Sequence, residues 1–249
     1  MKTFSSEFAH SYENYSFGYC NYAIRGEKDV LSDIYGKGFL PYSGMAGDNK
    51  NTFYMARSAR IDLKHFALNS ENRRIAKRFD GKFTKETVPF QKFDAQDDTF
   101  INFCVAYFSK RHGERVMPKE RLLKILQSGF ITEIIIYREG GLPRAYVFEI
   151  SDKHMSHFWF SFYDLSYANQ SLGMWLMIDR ARAAKENKKH HFYMGTVYAE
   201  KALYKTNFDR VEYWNGIKWS KDSKKLRARS RTDKGRTYDI VDEWKEEVS

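Results

Sequence analysis

Apolar residues recur at helical spacing in six stretches of the chain. They predict a short helix before Gly36 and helices over 69–79, about 94–111, 119–128, 171–187 and 199–206. Asn69 or Ser70 can begin the second of these, and Pro118 opens the fourth. Asp94, Asp97 and Asp98 favour the start of the third, because negative charge is stabilised at a helix N-terminus.

Six other stretches read as strands, at 53–66, 131–138, 143–151, 156–163, 190–195 and 210–214. Gly140-Gly141 separates the second from the third and predicts a hairpin turn. The order from residue 131 onward is therefore an antiparallel meander, a helix, a strand, a helix and a last strand. The strand–helix–strand piece at 156–195 should be a right-handed crossover between parallel strands.

This order is the layout of the GNAT acyltransferase fold, in which two central parallel strands splay apart and an acyl donor enters the gap. We therefore predict an α+β protein with a mixed central sheet and a β-α-β crossover. The predicted division is a smaller, basic and aromatic N-terminal subdomain at 1–93, a GNAT-like catalytic domain at 94–219 and a basic C-terminal tail at 220–249.

Positive charge is concentrated in two blocks of this 249-residue chain, whose formal net charge is +10. Residues 57–85 carry nine basic and three acidic side chains, and residues 218–236 carry nine basic and two acidic ones. The rest of the chain is slightly acidic, so the pattern indicates a polyanionic partner, and nucleic acid is the obvious candidate. The alternative for each block is a solvated surface that serves only solubility.

Other features restrict the function class. No apolar run reaches the roughly 18 residues that a membrane helix needs, and Met1–Ser5 lacks the apolar segment of a secretory signal. Cys20 and Cys104 are expected to be free thiols in a reducing cytoplasm. No acidic residue completes a metal-binding set around the histidines at 154, 157, 190 and 191, so no metal site is predicted.

The stretch that leads from the strand at 156–163 into the following helix suggests a phosphate site. Ser171 is a suitable N-cap, Gly173 would let a ligand approach the first turn, and free N–H groups there attract phosphate. Coenzyme A enzymes normally carry two glycines at this point, whereas Gln170-Ser171-Leu172-Gly173 keeps one. An ordinary capped helix is the alternative.

A second candidate position follows the strand at 190–195. Tyr204 lies where GNAT enzymes often place a tyrosine as general acid, although a tyrosine on a helix is more often a packed core residue. Lys205 could contact a phosphate or face solvent.

Two blocks of residues also resemble a known family. The first contains Gly38-Phe39-Leu40-Pro41-Tyr42-Ser43-Gly44, Phe53-Tyr54-Met55-Ala56-Arg57 and Asn69-Ser70-Glu71-Asn72-Arg73-Arg74. The second contains Tyr163-Asp164, Ser171-Leu172-Gly173, Tyr193-Met194-Gly195 and Tyr204-Lys205-Thr206-Asn207-Phe208. In order and spacing they resemble the aminoacyl-tRNA–protein transferases, arginyl in eukaryotes and leucyl in bacteria. That family has a GNAT-like catalytic domain that uses charged tRNA in place of an acyl-coenzyme A.

The resemblance implies transfer of an amino acid of the arginine or leucine class from aminoacyl-tRNA to an amine, such as a protein or peptide N-terminus, in the cytoplasm and without a resident cofactor. It implies that tRNA phosphates are held by five arginines: Arg57, Arg60, Arg73, Arg74 and Arg78. The 3′-terminal nucleotide and its surroundings would be held by Ser171, Leu172, Gly173 and Lys205. The aminoacyl and acceptor pocket, with the catalytic groups, would be lined by Tyr163, Asp164, Tyr193 and Tyr204.

Asp164 would pair with a cationic group of the substrate, and a structural cap at the strand end is its equally weighted alternative. Family members also carry an N-terminal cysteine cluster, of which only Cys20 could remain here, so the chain is predicted to be a divergent relative. Two other functions stay open at this point. One is an acetyl-coenzyme A-dependent GNAT acetyltransferase, and the other is a non-catalytic RNA-binding protein on a GNAT scaffold.

Overall fold

Two β-sheets form the framework of the molecule. The computed structural model describes residues 1–13, 16–44, 50–231 and 233, so Lys234 and Arg236 of the second basic block lie outside the described residues. The small sheet has the strand order β1-β2-β4-β3 and the large one β12-β11-β5-β10-β9-β8-β7-β6. The strands are β1 (Lys2–Ser11), β2 (Ser16–Ile24), β3 (Phe39–Pro41), β4 (Thr52–Met55), β5 (Ser58–Asp62), β6 (Thr84–Pro89), β7 (Glu133–Glu139), β8 (Leu142–Ser151), β9 (Met155–Tyr163), β10 (His191–Thr196), β11 (Val211–Trp214) and β12 (Trp219–Ser220).

The helices agree closely with the sequence pattern. They are α1 (Leu31–Gly36), α2 (Ser70–Phe79), α3 (Asp98–His112), α4 (Lys119–Gln127), α5 (Leu172–Glu186) and α6 (Ser223–Arg231). The Asn69 side chain caps α2 by accepting a hydrogen bond from the Asn72 N–H at 2.8 Å, as the sequence predicts. The predicted helix at 199–206 is a 3₁₀ segment, Glu200–Thr206. Within the described residues no helix combines the length and apolar character needed to cross a membrane.

Helices cover both faces of the large sheet. Neighbouring residues of a strand point to opposite faces, so Phe148 and Glu149 of β8 identify the two sides. Phe148 packs on Phe100 of α3, with ring centroids 5.9 Å apart, whereas Glu149 is paired with Arg180 of α5 at 2.7 Å. Helix α5 also packs against α2. The main apolar core therefore has two layers. One lies between the sheet and helices α3 and α4, and the other lies between the sheet and helices α2 and α5.

The predicted crossover is present, and its two parallel strands diverge. Strands β9 and β10 flank α5 and pair over three positions only, from His191↔Met155 to Tyr193↔His157. Beyond His157, β9 continues alongside β8 alone, while β10 continues alongside β5, with which it pairs from His191 to Thr196. The opening between β9 and β10, here named the wedge, is the gap expected from the sequence. The α+β, GNAT-like fold with a mixed sheet is confirmed.

Residues 53–66 do not form the single strand that was predicted. The segment is split at Ala56-Arg57, so that β4 belongs to the small sheet and β5 to the large one. The predicted domain boundary at 93/94 does not coincide with the sheets either, because β5, α2 and β6 precede residue 94 and belong to the larger unit. Strands β1, β2, β3, β6 and β12 were not predicted, and α6 lies inside the segment predicted as a tail.

Candidate active site

Three residues meet at the apex of the wedge, where β9 and β10 stop pairing. His157 is the last paired residue of β9, and Gly195 lies on β10 just beyond its own last pair. A Cβ atom on Gly195 would lie 3.6 Å from His157 Nε2 and 3.6 Å from Lys205 Nζ. Because Gly195 has no side chain, the imidazole and the amine face the same small space. Its φ of +78° is a conformation that favours glycine at this position.

His157 is buried and has one unsatisfied ring nitrogen. Its Nδ1 lies 2.9 Å from the Tyr35 hydroxyl, and its Nε2 has no hydrogen-bond partner among the described residues. Burial, reinforced by the nearby Lys205 charge, lowers the pKa of His157 to about 3. The imidazole is therefore neutral near pH 7, and the environment disfavours its protonation.

Lys205 reaches the apex from the 3₁₀ segment Glu200–Thr206. Its Nζ donates a hydrogen bond to the Thr196 carbonyl at 2.8 Å, and this is its one such bond within the part of the chain that the structure describes. Burial lowers the pKa of Lys205 to about 8. Neither alternative predicted for Lys205 describes this position, because its amine is turned inward onto β10.

Tyr163 and Asp164, two predicted catalytic residues, lie together at the far end of β9. They line a cavity of about 310 Å³ with Phe103, Ala106, Tyr107, Lys110, Leu165 and Ser166. The Tyr163 ring lies 4.8 Å from that of Tyr107 on α3. Tyr204 belongs to the 3₁₀ segment Glu200–Thr206 and is 45% exposed as a residue, while burial of its hydroxyl raises the pKa of Tyr204 to about 12.

Asp164 serves as a structural cap. Its carboxylate accepts a hydrogen bond from the Ser166 N–H at 3.0 Å and pairs with Arg144 at 2.9 Å. Burial opposes its ionisation, but these hydrogen bonds and the Arg144 charge outweigh that effect and lower the pKa of Asp164. The geometry thus supports the cap, the alternative that the sequence left open.

Tyr193 is separate from Tyr163 and Asp164 and lies at the wedge apex. Its buried ring packs 4.9 Å from Tyr35 and 5.6 Å from Trp219. Arg60 donates a hydrogen bond to its hydroxyl at 3.3 Å and forms an ion pair with Glu212 at 2.7 Å. The Arg60 side chain is thus 12% exposed and already paired with a carboxylate, which leaves it little room to hold a phosphate.

The start of α5 differs from the predicted phosphate site. Ser171 occupies the N-cap position, but its φ is +68° and its side chain makes no capping hydrogen bond. A Cβ atom on Gly173 would lie 2.9 Å from Cε1 of Tyr163. The glycine therefore admits the Tyr163 ring, which packs over the first turn of α5 where a ligand was expected. Leu172 is buried.

The other predicted arginines divide into two groups. Arg73, Arg74 and Arg78 are exposed on α2, and an Arg78 guanidinium N–H donates to the Gln170 carbonyl at 2.9 Å, directly before α5. Arg74 pairs with Glu71 on the surface at 2.7 Å. Arg57 lies beyond the end of β10, where it donates to the Val197 carbonyl at 3.1 Å and pairs with Asp233.

A second cavity, of about 540 Å³, lies beside the ends of β10 and β11. Aromatic and polar side chains from both sheets and α6 line it: Tyr19, Cys20, Asn21, Tyr22, Tyr42, Tyr54, Met55, Ala56, Arg57, Tyr198, Trp214, Asn215, Gly216 and Arg229. None of these is a carboxylate. We refer to this space as the tyrosine cavity.

Residues 70–206 match the family model described as "Acetyltransferase (GNAT) domain". The chain belongs to this GNAT family. The match covers α2 through the 3₁₀ segment that carries Lys205, and hence both strands of the wedge. It establishes a GNAT-type acyltransferase.

Solved structures that are similar to this GNAT protein share little sequence with it. One is the C-terminal domain of a putative lysylphosphatidylglycerol synthetase from Agrobacterium fabrum, with 15% identity, 57% of this chain and 46% of that chain covered, and a TM-score of 0.42. Another is FemX, with 9% identity, 67% and 59% covered, and a TM-score of 0.44. A third, a conserved protein of unknown function from Bacteroides thetaiotaomicron, has 15% identity, 61% and 54% covered, and a TM-score of 0.43.

The chain spans about half the length of these solved chains. No curated protein matches the sequence.

Sequence reasoning singled out Lys205 and Tyr193 but missed His157 and Tyr35 at the apex of the GNAT wedge. The histidines were considered as metal ligands only, and Tyr35 was one of many aromatic residues in the N-terminal segment. One signal was present in the sequence. His157 is the single histidine of a strand that is otherwise rich in aromatic residues, Met155–Tyr163, and such a strand carries its polar ring into a buried position. What could not be read was the pairing that brings α1, β9 and β10 together at this point.

Proposed function

We propose that this GNAT protein transfers an aminoacyl group of the arginine or leucine class from aminoacyl-tRNA to an amine, such as a protein or peptide N-terminus. The observation that carries the proposal is the Tyr163 ring over Gly173 at the start of α5. That ring takes the place where a coenzyme A diphosphate would meet the helix N-terminus. A donor that does not need this contact fits the wedge better.

The basic surface beside the wedge supports an RNA donor. Helix α2 packs on α5 and exposes its arginines at 73, 74 and 78, and Arg78 is hydrogen-bonded to the Gln170 carbonyl just before α5. Arginine forms strong charge-assisted hydrogen bonds with phosphate, and several such contacts would give salt-dependent affinity. In this proposal α2 holds the acceptor stem while the 3′ end enters the wedge.

The chemistry asks little of the protein beyond orientation and electrostatics. Aminoacyl-tRNA is an activated ester, so an amine can attack its carbonyl and displace the ribose oxygen without a protein nucleophile. The transition state needs a donor near the negative charge that develops on the departing oxygen. The Lys205 ammonium at the wedge apex can supply one. In this proposal the acceptor occupies the tyrosine cavity, whose volume of about 540 Å³ suits the end of a peptide.

The family match favours a second candidate, transfer of an acetyl group from acetyl-coenzyme A. One assay can compare the two. The protein is incubated with a peptide panel and with labelled Arg-tRNA, Leu-tRNA, other charged tRNAs or acetyl-coenzyme A, and peptide-bound label is measured. We expect label from a charged tRNA. Label from acetyl-coenzyme A alone would reject the proposal in favour of the acetyltransferase, and tight tRNA binding without transfer would favour an RNA-binding protein.

A variant tests the contribution of α2. Arg74→Ala with Arg78→Ala should weaken tRNA binding about tenfold or more at low salt and flatten its salt dependence, because phosphate contacts are lost. The matched control, Arg115→Ala with Lys119→Ala, removes two exposed positive charges outside α2. Equal affinity and salt dependence in both double variants would remove α2 from the binding surface.

A further inference from the structure

Several buried side-chain atoms of the described residues lack a hydrogen-bond partner, Ser58 Oγ and Trp214 Nε1 among them, and the one at the wedge apex lies close to an amine. His157 Nε2 is an unsatisfied buried atom, and it faces Lys205 Nζ across the space left open by Gly195. Other buried ionic groups of the large sheet are paired, as Glu149 is with Arg180 and Asp179 with Lys85. A buried nitrogen without a hydrogen-bond partner lowers the stability of the fold. Its presence is explained if a substrate group forms a hydrogen bond with it during the reaction.

We propose that His157 and Lys205 act as a proton-exchange pair in acyl transfer: His157 Nε2 accepts the proton of the attacking amine, and Lys205 Nζ donates a proton to the leaving oxygen. The inference rests on the proposed function for the identity of the leaving group, and on GNAT-type acyl transfer for the rest. Both nitrogens are within contact distance of the point that a side chain at position 195 would occupy. Nε2 is closed off from solvent in this structure, so in this proposal the substrates widen this space as they enter the wedge.

The proton balance of the cycle closes without a co-reactant. A bond forms between the amine nitrogen and the acyl carbon, and the bond from that carbon to the ribose oxygen breaks. One proton passes from the amine nitrogen to Nε2, and one passes from Nζ to the departing oxygen. The buried site disfavours the imidazolium, so this ion forms only briefly and passes its proton to the neutral lysine, directly or through a water, because the lysine amine is the stronger base. The acylated amine and the tRNA 3′-hydroxyl are the products.

Tyr35 is the positioning residue of the pair. Its ring is fully buried, and it packs 4.9 Å from Tyr193 and 6.3 Å from Phe53. With Nδ1–H of His157 donating to the Tyr35 oxygen, the lone pair remains on Nε2, where the amine proton arrives. The titratable and charged groups around the imidazole are thus Tyr35 from α1, Tyr193 from β10 and Lys205, with Arg60 of β5 behind Tyr193.

Single-turnover transfer by the full chain tests the pair. With charged tRNA as donor, His157→Gln and Lys205→Met should each lower the rate about 100-fold or more, with little change in the concentration of tRNA that gives half-maximal rate. Tyr35→Phe should lower the rate about tenfold and shift the pH profile, because the tautomer is no longer fixed. His154→Gln, which changes a histidine outside the apex, should have the wild-type rate.

A change of leaving group separates this role from a structural one. A thiolate leaves without a proton, so an aminoacyl thioester or acetyl-coenzyme A should restore Lys205→Met to near the wild-type rate but leave His157→Gln slow. Folded Lys205→Met that is equally slow with the thioester would overturn the lysine assignment, and wild-type rates for folded His157→Gln or Tyr35→Phe would overturn the histidine assignment. If His157→Gln does not fold, Tyr35→Phe carries that test.

The same assay separates the two proposals. A wild-type protein that uses acetyl-coenzyme A but no charged tRNA rejects the proposed function, and His157→Gln then still tests proton acceptance with that donor. Slow transfer by folded His157→Gln supports the histidine assignment, and an unchanged rate rejects it.

Discussion

Replacing Lys205 by methionine should make the protein more stable at neutral pH while impairing transfer. The pKa of Lys205 is about 8 in the fold against 10.5 for the free side chain. This difference in pKa means that burying the ammonium form lowers the free energy of unfolding by about 3 kcal/mol below pH 8. The lost hydrogen bond to Thr196 offsets about 1 kcal/mol of that gain. We expect Lys205→Met to raise the free energy of unfolding by about 1–2 kcal/mol at pH 7.

The sign follows from proton binding. Between pH 8 and pH 10.5 the unfolded chain binds more protons at Lys205 than the folded one, so the wild-type protein gains stability from this residue as the pH rises. The advantage of the variant should therefore shrink across that interval and be absent at pH 10.5. Urea unfolding of both proteins at pH 7, 8.5 and 10 measures it. The reasoning would be refuted if the variant were less stable than wild type at pH 7. It would also be refuted if the difference in the free energy of unfolding did not change with pH.

Three further changes test packing and pairing, each by urea unfolding. Gly173→Ala places a methyl group 2.9 Å from the Tyr163 ring and should cost about 1–3 kcal/mol, with a smaller cost in a Tyr163→Ala background; equal costs in both would exclude this contact as the cause. Glu149→Ala leaves the buried Arg180 without its closest carboxylate and should cost about 3–5 kcal/mol, so a loss under 1 kcal/mol would contradict the burial described here. Asn69→Ala removes the cap of α2 and the hydrogen bond from the Asn69 amide to the Asn207 carbonyl, and should cost about 1–2 kcal/mol, whereas Asn69→Asp keeps the cap, loses only the second bond and should cost less.

Elements with local signals were predictable from the sequence. Helix α2 begins after a capping asparagine, and the hairpin between β7 and β8 turns at Gly140-Gly141. The crossover from β9 through α5 to β10 follows from the order of apolar segments, and the wedge follows from the fold that this order predicts. In each case the information lies within a few residues of the element or in the order of elements along the chain.

Features that depend on distant pairing were not predictable. Strand β6 is largely exposed and polar, so its sequence carries no strand pattern, and it is held by its pairing with β7. Arg60 resembles a surface cation until β5 places it against Glu212 and Trp219. The conformation of Ser171, which has a positive φ, depends on the 3₁₀ segment Leu165–Gln170 before it. His157 gains its role only through the contacts of Tyr35 and Lys205, which come from opposite ends of the chain.

The position of β5 determines how this enzyme can be assembled. It precedes the family-matched region, yet it is the neighbour of both β10 and β11, with Ile61 opposite Phe192 and Val211. During synthesis this strand leaves the ribosome early and waits until nearly the whole chain has emerged, which is a pairing of high contact order and slow formation. A fragment begun at residue 70 would leave β10 as a bare, aggregation-prone edge. The wedge is therefore completed late in folding, when β5 from the first quarter of the chain pairs with β10 and β11 from its last quarter.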